Sequence, residues 1–389
     1  AQRLPTPGYD AMTDAALGLG TSAAVANGIP DPDSPYKADI PYDITQWAVF
    51  AEVSYDVTER FTLTAGTRYH DYEESRRFHS GGLFSNGDDD RDSTTSDGWH
   101  PRVIASYEVS DEVTINAQAS QGFRPGGVND PLNIPLCTVA DAAIFGLFPK
   151  KYADETAWNY EAGVKLARSN FNLNAAAYYN DITDLQVSFD AGSCSSRLVG
   201  SVPNAHAAGV ELEAGWAPTD RLSFTFAGSL VEAEFDSTVP AAPGVVKGNR
   251  IASVPDYQLA ATANYSFPIM AFGPGRDGFV TATVQHVGSR FTQPGDQVPG
   301  AGVFDHNLNP FGGLTGAEIT TLDLELDPYT FVNLNVGVES ESWTLMLYVN
   351  NVFDENANLA FDRERGGRAR LGFHTNPPRT VGLTARAAF

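Results

Sequence analysis

The sequence predicts an all-β protein: an antiparallel transmembrane β-barrel, partial, with about thirteen meandering strands of a larger barrel. Three observations carry this. From Thr45 onward, segments of about ten residues alternate apolar and polar side chains with period two, as strands with two chemically different faces do. No charge falls on the apolar face of these segments. Short turns alternate with long polar loops along the chain. Strands of soluble sandwiches run to about five or six residues, whereas a tilted strand needs about ten to cross a bilayer.

The strands follow in order. Trp47, Val49, Ala51, Val53 and Tyr55 oppose Gln46, Glu52 and Ser54; Phe61, Leu63, Ala65 and Tyr69 oppose Thr62, Thr64, Arg68 and His70. Val103, Ala105, Tyr107 and Val109 oppose Arg102, Ser106 and Glu108, and Val113, Ile115, Ala117 and Ala119 oppose Thr114, Asn116 and Gln118. Trp158 to Leu166 sets its apolar positions against Asn159, Glu161 and Lys165, and Phe171 to Tyr179 against Asn172, Asn174 and Asn180. Val210, Leu212, Ala214 and Trp216 oppose Glu211 and Glu213; Leu222, Phe224, Phe226 and Leu230 oppose Ser223, Thr225 and Ser229. The same alternation recurs over Tyr257–Tyr265, Val280–Val284, Val332–Val338, Trp343–Val349 and Val381–Phe389.

Short turns near residues 57–60, 110–112, 167–170, 218–220 and 340–342, with a longer one near 267–278, join these strands into hairpins. Between hairpins lie polar loops at 73–98, 123–156, 186–206, 236–254, 290–329 and 354–378. Short turns on one side and long loops on the other give the orientation of a barrel in the bacterial outer membrane, with the loops outside. Aromatic residues edge the apolar face near the short turns (Tyr55, Phe61, Tyr107, Trp216, Trp343) and near the loops (Trp47, Tyr69, Trp158, Tyr179, Tyr257), as two interfacial girdles. Residues 1–44 read as an outer loop and linker, and 45–389 as the barrel portion.

Composition excludes other classes. The 25 Lys and Arg against 48 Asp and Glu leave a net charge of −23, which argues against nucleic acid as a partner. No apolar run approaches the ~18 residues of a spanning helix. The two cysteines form no CxxC and the seven histidines no HExxH, so no metal site, catalytic constellation or cofactor is expected.

Several motifs resemble those of the TonB-dependent outer-membrane receptors. Gly122-Phe123-Arg124-Pro125-Gly126-Gly127 follows a strand as that family's Gly-Phe-Arg-Pro segment does. Tyr160-Glu161-Ala162-Gly163-Val164-Lys165 is similar to its Tyr-Glu-x-Gly-x-Lys strand, and Gly209-Val210-Glu211-Leu212-Glu213 to its Gly-Val-Glu-Leu-Glu strand. Asn350-Asn351-Val352-Phe353-Asp354 and the closing strand ending at Phe389 complete the order. The resemblance implies active import of a scarce substrate, most often a ferric siderophore or other iron complex. It also implies a 22-stranded barrel with an N-terminal plug inside, a TonB complex as partner, and recognition of Phe389 by the barrel-assembly machinery. No plug or TonB box is found in these residues, so the chain reads as the C-terminal part of a larger receptor. Import of cobalamin or oligosaccharide, or a passive porin, stands as the alternative.

By motif position, the resemblance makes Glu161 and Glu211 the carboxylates that grip plug arginines. The bland reading of these and of Glu52, Arg68, Arg102, Glu108, Lys165, Glu213 and Arg386 is a solvated channel wall. Arg124, where a strand meets a long loop, is a candidate ligand contact. Cys137 and Cys194 fall in the two loops flanking hairpin 158–185, which favours a disulfide in an oxidising compartment, with two free thiols as the alternative. Asp88-Asp89-Asp90-Arg91-Asp92 lacks calcium-loop spacing and reads as a solvated, repelling loop tip. Arg363-Glu364-Arg365-Gly366-Gly367-Arg368 reads as a basic surface loop, with lipopolysaccharide phosphates or an anionic ligand as its alternative use.

Overall fold

Long antiparallel strands carry the structure, a computed structural model that describes all residues except 1, 4, 31–32, 195, 270–274, 306–318, 365–369 and 389. Thirteen of these strands form one meandering sheet among the described residues. They are β1 (Tyr42–Thr58), β2 (Phe61–Gly81), β3 (Asp89–Ser110), β4 (Val113–Arg124), β5 (Glu155–Ala167), β6 (Phe171–Asp190) and β7 (Arg197–Thr219). The sheet continues through β8 (Leu222–Phe235), β9 (Tyr257–Pro268), β10 (Asp277–Val287), β11 (Tyr329–Glu339), β12 (Trp343–Asn350) and β13 (Thr380–Ala387). Each strand pairs with its neighbours in sequence.

The register keeps the two faces apart. Val49 lies opposite Tyr69, Tyr69 opposite Trp99, Ala65 opposite Val103, and Val210 opposite Leu230, so apolar residues meet apolar ones at these positions, whereas Trp47 and Trp158 at the loop end face Asp71 and Asp181. That face is open: Leu230 is 56 % exposed and Leu347 44 %, a surface that water would not tolerate over a whole sheet but lipid covers. Trp47, Tyr69 and Trp99 stand in series at its upper edge, ring centroids 5.4 and 5.1 Å apart.

Hydroxyls close the short turns. Thr58 Oγ1 accepts from the N–H of Arg60 and Phe61 (3.3 and 3.0 Å), Ser110 Oγ from Glu112 and Thr219 Oγ1 from Arg221 (both 3.3 Å). Each Ser or Thr ends its strand by offering the backbone a local acceptor in place of the ladder. Two glycines on the inner face serve packing. Tyr178 lies over Gly209, where a Cβ would meet the phenol oxygen at 2.7 Å, and Tyr348 lies over Gly382 in the same way. An aromatic ring covering a strand glycine fixes register.

The long loops differ from their sequence reading in two places. Residues 73–98 are not a loop: β2 and β3 run on as a paired ladder to His79 and Asp89, leaving only 82–88 as the turn. Likewise β6 and β7 stay paired to Asp190 and Arg197, so 191–196 is the turn. Polar alternation above the membrane lacks an apolar face, which hides a strand from the sequence signal. In the N-terminal stretch, helices cover Tyr9–Leu17 and Thr21–Val25, and Lys37–Asp39 pairs with both Gln2–Arg3 and β2.

The buried core lies in these outer segments. Phe189, Val202, Ala205, Phe235, Ala242 and Val245 form one cluster, and Phe145, Ala191, Cys194 and Leu198 another. Phe304, Leu324, Leu326 and Phe361 form a third. Within the bilayer, lipid replaces a packed interior; outside it, the loops need their own.

Candidate functional site

The inner wall at the loop end is shaped by the Gly-Phe-Arg-Pro-Gly-Gly segment. Pairing between β3 and β4 ends at Arg102–Ser120, while β4 stays paired with β5 to Arg124–Glu155. Freed from β3, the end of β4 lays Phe123 on two imidazoles: His70 stacks on it at 3.7 Å and His100 at 4.0 Å. The imidazoles are joined by a His100 Nε2···His70 Nδ1 hydrogen bond of 2.9 Å, and His70 Nε2 meets Ser96 Oγ at 3.0 Å. Arg124 is exposed on the strand face opposite Phe123.

Its backbone is held from behind. Gln186 is buried, and its amide donates to the carbonyls of Pro125 (2.9 Å) and Ala153 (3.0 Å), with Arg124 at 3.3 Å. The Gln186 N–H donates to Glu155 Oε2 at 2.7 Å. Gly126 and Gly127 are required here: a Cβ on the first would meet the Tyr152 carbonyl at 2.3 Å, and on the second the Tyr152 phenol at 2.2 Å. Burial raises the Tyr152 phenol above its ordinary range; the Glu74 carboxylate adds to this, and Arg124 and Arg76 oppose it.

The loop after Arg124 then crosses the extended β2–β3 hairpin. Arg76 pairs with Asp130 at 2.9 Å. Lys151 pairs with Asp92 at 2.9 Å, and Lys150 with Asp92 at 3.2 Å and Asp90 at 3.8 Å; Asp89 takes two hydrogen bonds from Arg77. Asp89–Asp92 is therefore no repelling tip but the paired start of β3. Asn129, also buried, bonds the carbonyls of Pro149 and Val199 (3.0 and 2.8 Å) and accepts from Val199 N–H. Cys137 and Cys194 are joined by a disulfide, tying this loop to the turn after β6.

Glu161 and Glu211 sit on the inner face, opposite Gln118 and Tyr178, and opposite Ala176 and Ser229, respectively. Among the described residues neither has an ion-pair partner, whereas Glu52 and Arg102 lie 3.8 Å apart. Phe389 lies outside the described residues, as does 365–369 of the basic cluster. Arg363 is not a surface charge: its side chain is 12 % exposed. A cavity of about 320 Å³ opens between Phe148, Tyr152, Phe189, Val202 and Val239 among the loops. Sequence reading missed His70, His100, Asn129 and Gln186 as anchors. Their signal, polar residues within alternating strands or loops, is the one solvated positions also give.

A sheet with a lipid-facing apolar side, a polar inner side and interlocked outer loops defines an outer-membrane β-barrel protein. A family model, TonB dependent receptor-like, beta-barrel, matches residues 7–352, and the chain belongs to that family of transport receptors. It is 24 % identical over 362 residues to a pesticin receptor of Yersinia pestis, covering 92 % of this chain and 46 % of the relative. The ferric yersiniabactin uptake receptor FyuA of Yersinia pestis shares the fold, with TM-score 0.70, 22 % identity, and coverage of 92 % of this chain and 48 % of that one. The siderophore receptor PiuA of Acinetobacter baumannii superposes with TM-score 0.61 at 13 % identity, covering 91 % and 44 %. The chain spans about half the length of the curated relative from Yersinia pestis.

Proposed function

We propose that this chain is the C-terminal barrel portion of an active-transport receptor that captures a scarce iron complex, a ferric siderophore, with its outer loops. Residues 1–44 serve as an outer loop leading into the barrel portion at 45–389. A plug domain supplied by the rest of the receptor fills the lumen, and a TonB complex displaces it for import. Glu161 and Glu211 hold plug arginines through charge-assisted, bidentate hydrogen bonds. The observation that carries this is their position: two carboxylates on the inner wall, with no ion-pair partner among the described residues. The names of similar proteins, a ferric yersiniabactin uptake receptor and a siderophore receptor, support iron chelates as cargo. Arg124 contacts the ligand from the rim, Phe389 is read by the barrel-assembly machinery, and outer-membrane lipid covers the apolar face.

Growth of a deletion strain on defined iron sources tests the cargo. Loss of growth on one ferric chelate, restored by the wild-type gene but not by an E161Q/E211Q variant that still binds the chelate, is expected. Equal growth on every source, with conductance linear in solute concentration, would leave a passive porin instead.

A further inference from the structure

The ring of Phe123 rests on two titratable side chains. His70 on β2 and His100 on β3 share the inner face, and His70 is only 1 % exposed. The register sets them on a diagonal: His70 lies opposite Gly98, and His100 opposite Arg68. A Cβ at position 98 would meet His100 Nε2 at 3.4 Å and His70 Cε1 at 3.6 Å, so a longer side chain there would press on the join between the rings. That join is the 2.9 Å hydrogen bond between His100 Nε2 and His70 Nδ1, with ring centroids 4.9 Å apart. Phe123 stacks on both rings. Pairing of β4 with β3 has already ended at Ser120, so on this side the rings hold the end of β4 where a ladder would otherwise do so.

The bond limits how many protons the pair can hold. Two facing ring nitrogens need one donor and one acceptor, so they keep a single hydrogen between them. At the other end of His70, the Ser96 hydroxyl accepts from or donates to Nε2 at 3.0 Å, whichever the tautomer requires. A neutral pair meets these conditions, and so does a pair with one extra proton. With two extra protons, N–H faces N–H, the bond is lost and two cations stand side by side. The surrounding charges do not offset them. Arg68 of β2 lies directly across from His100, and Arg102 of β3, two positions further along, has Glu52 of β1 at 3.8 Å. Opposite His70, β1 places Ala48. On β2 the next inner residue, Tyr72, donates to Glu74. Arg124 ends β4 opposite Glu155 of β5, whose carboxylate takes the Gln186 N–H. Among the described residues no carboxylate hydrogen-bonds to either imidazole.

We propose that His70 and His100 form a proton-operated latch on the rim segment Gly122–Gly127. The pair seats Phe123 while it carries at most one extra proton, and releases it when acid outside the cell supplies two. Release frees the β3 side of the strand end, while the β5 side stays paired to Arg124. Histidine suits this use, since its charge changes over a pH range that an outer surface meets. The latch does not depend on Arg124 touching cargo, nor on which cargo the receptor carries.

A 4-fluorophenylalanine placed at position 123 of the complete receptor reads the seat by fluorine NMR in lipid nanodiscs, because stacked imidazoles displace its resonance through their ring currents. At about pH 7.5 the protein with both histidines should give one displaced signal. At about pH 4.5, well below the ordinary imidazole value of about 6.5, that signal should be lost to one near the free side chain. Return to the higher pH should restore it. His100→Gln keeps the bond in either proton state, since its amide offers N–H to a neutral His70 and turns to offer its oxygen to a protonated one. That variant should give the same signal at both pH values. If His100→Gln does not insert, His70→Asn places an amide where Nδ1 stood and should behave likewise. A signal that acid leaves unmoved in the protein with both histidines overturns the latch, as does an inserted amide variant that loses its seat in acid.

Discussion

The disulfide gives the sharpest quantitative prediction. Replacing Cys137 and Cys194 together by serine removes the covalent tie and leaves no free thiol. The bridge spans 57 residues in sequence, for which the chain-entropy relation gives about 4 kcal/mol. That value overstates the effect, because the intervening hairpin β5–β6 remains in the membrane when the loops open. The chain actually freed amounts to roughly 20 residues, which lowers the estimate to about 3 kcal/mol. A loss of about 3 kcal/mol in local opening free energy corresponds to a rise of roughly 100-fold in amide exchange. Hydrogen–deuterium exchange should show this rise in Val139–Phe145 and the start of β7, with Ala175–Tyr178 in mid-strand unchanged. An unchanged loop, or a barrel that loosens with it, would refute the separation of loop and barrel stability.

Other perturbations test single contacts. Gln186→Leu strands the carbonyls it satisfies and should destabilise the rim by about 1–3 kcal/mol, read as faster exchange near Arg124. Gly209→Ala drives a Cβ into Leu230 O at 2.5 Å and the Tyr178 phenol, and should lower the yield of heat-resistant barrel. Val210→Arg, on the lipid face opposite Leu230, should cost about 2–4 kcal/mol if near mid-bilayer, seen in denaturant titration in vesicles. The Asp92 carboxyl is held down to about 2, mainly by its hydrogen bond to Lys151. Because this pKa is depressed, its contribution is present above the ordinary value near 3.8 and is lost as pH falls toward 2. The Asp92 side chain is 18 % exposed but its lysine partners are about half exposed, so screening should hold the cost of Asp92→Asn to about 1 kcal/mol at pH 7, shrinking as pH falls through 2.

The transmembrane part of the fold was legible because lipid imposes a strict rule on it. One face must be apolar without exception, so Val49, Tyr69, Val103 and Val210 could each be assigned by parity. Above the membrane that rule lapses. Glu73, Ser75, Arg77 and Asp89–Asp92 form a ladder as regular as the one below it, yet nothing in their polarity separates strand from loop. The site was legible where geometry forces a residue type, as at Gly126 and Gly127 beneath Tyr152. It was not legible where long-range pairing decides. Arg363 reads as a surface cation in sequence, and only the fold brings it to Asp296. Asp89 and Asp92 read as repelling until Arg77, Lys150 and Lys151 arrive from other segments.

Uptake of a radiolabelled ferric chelate by cells carrying the complete receptor tests the central claim most directly. The account predicts uptake that saturates with chelate concentration and stops when the proton gradient across the inner membrane is collapsed. Uptake that rises linearly with concentration and survives collapse of the gradient would contradict it.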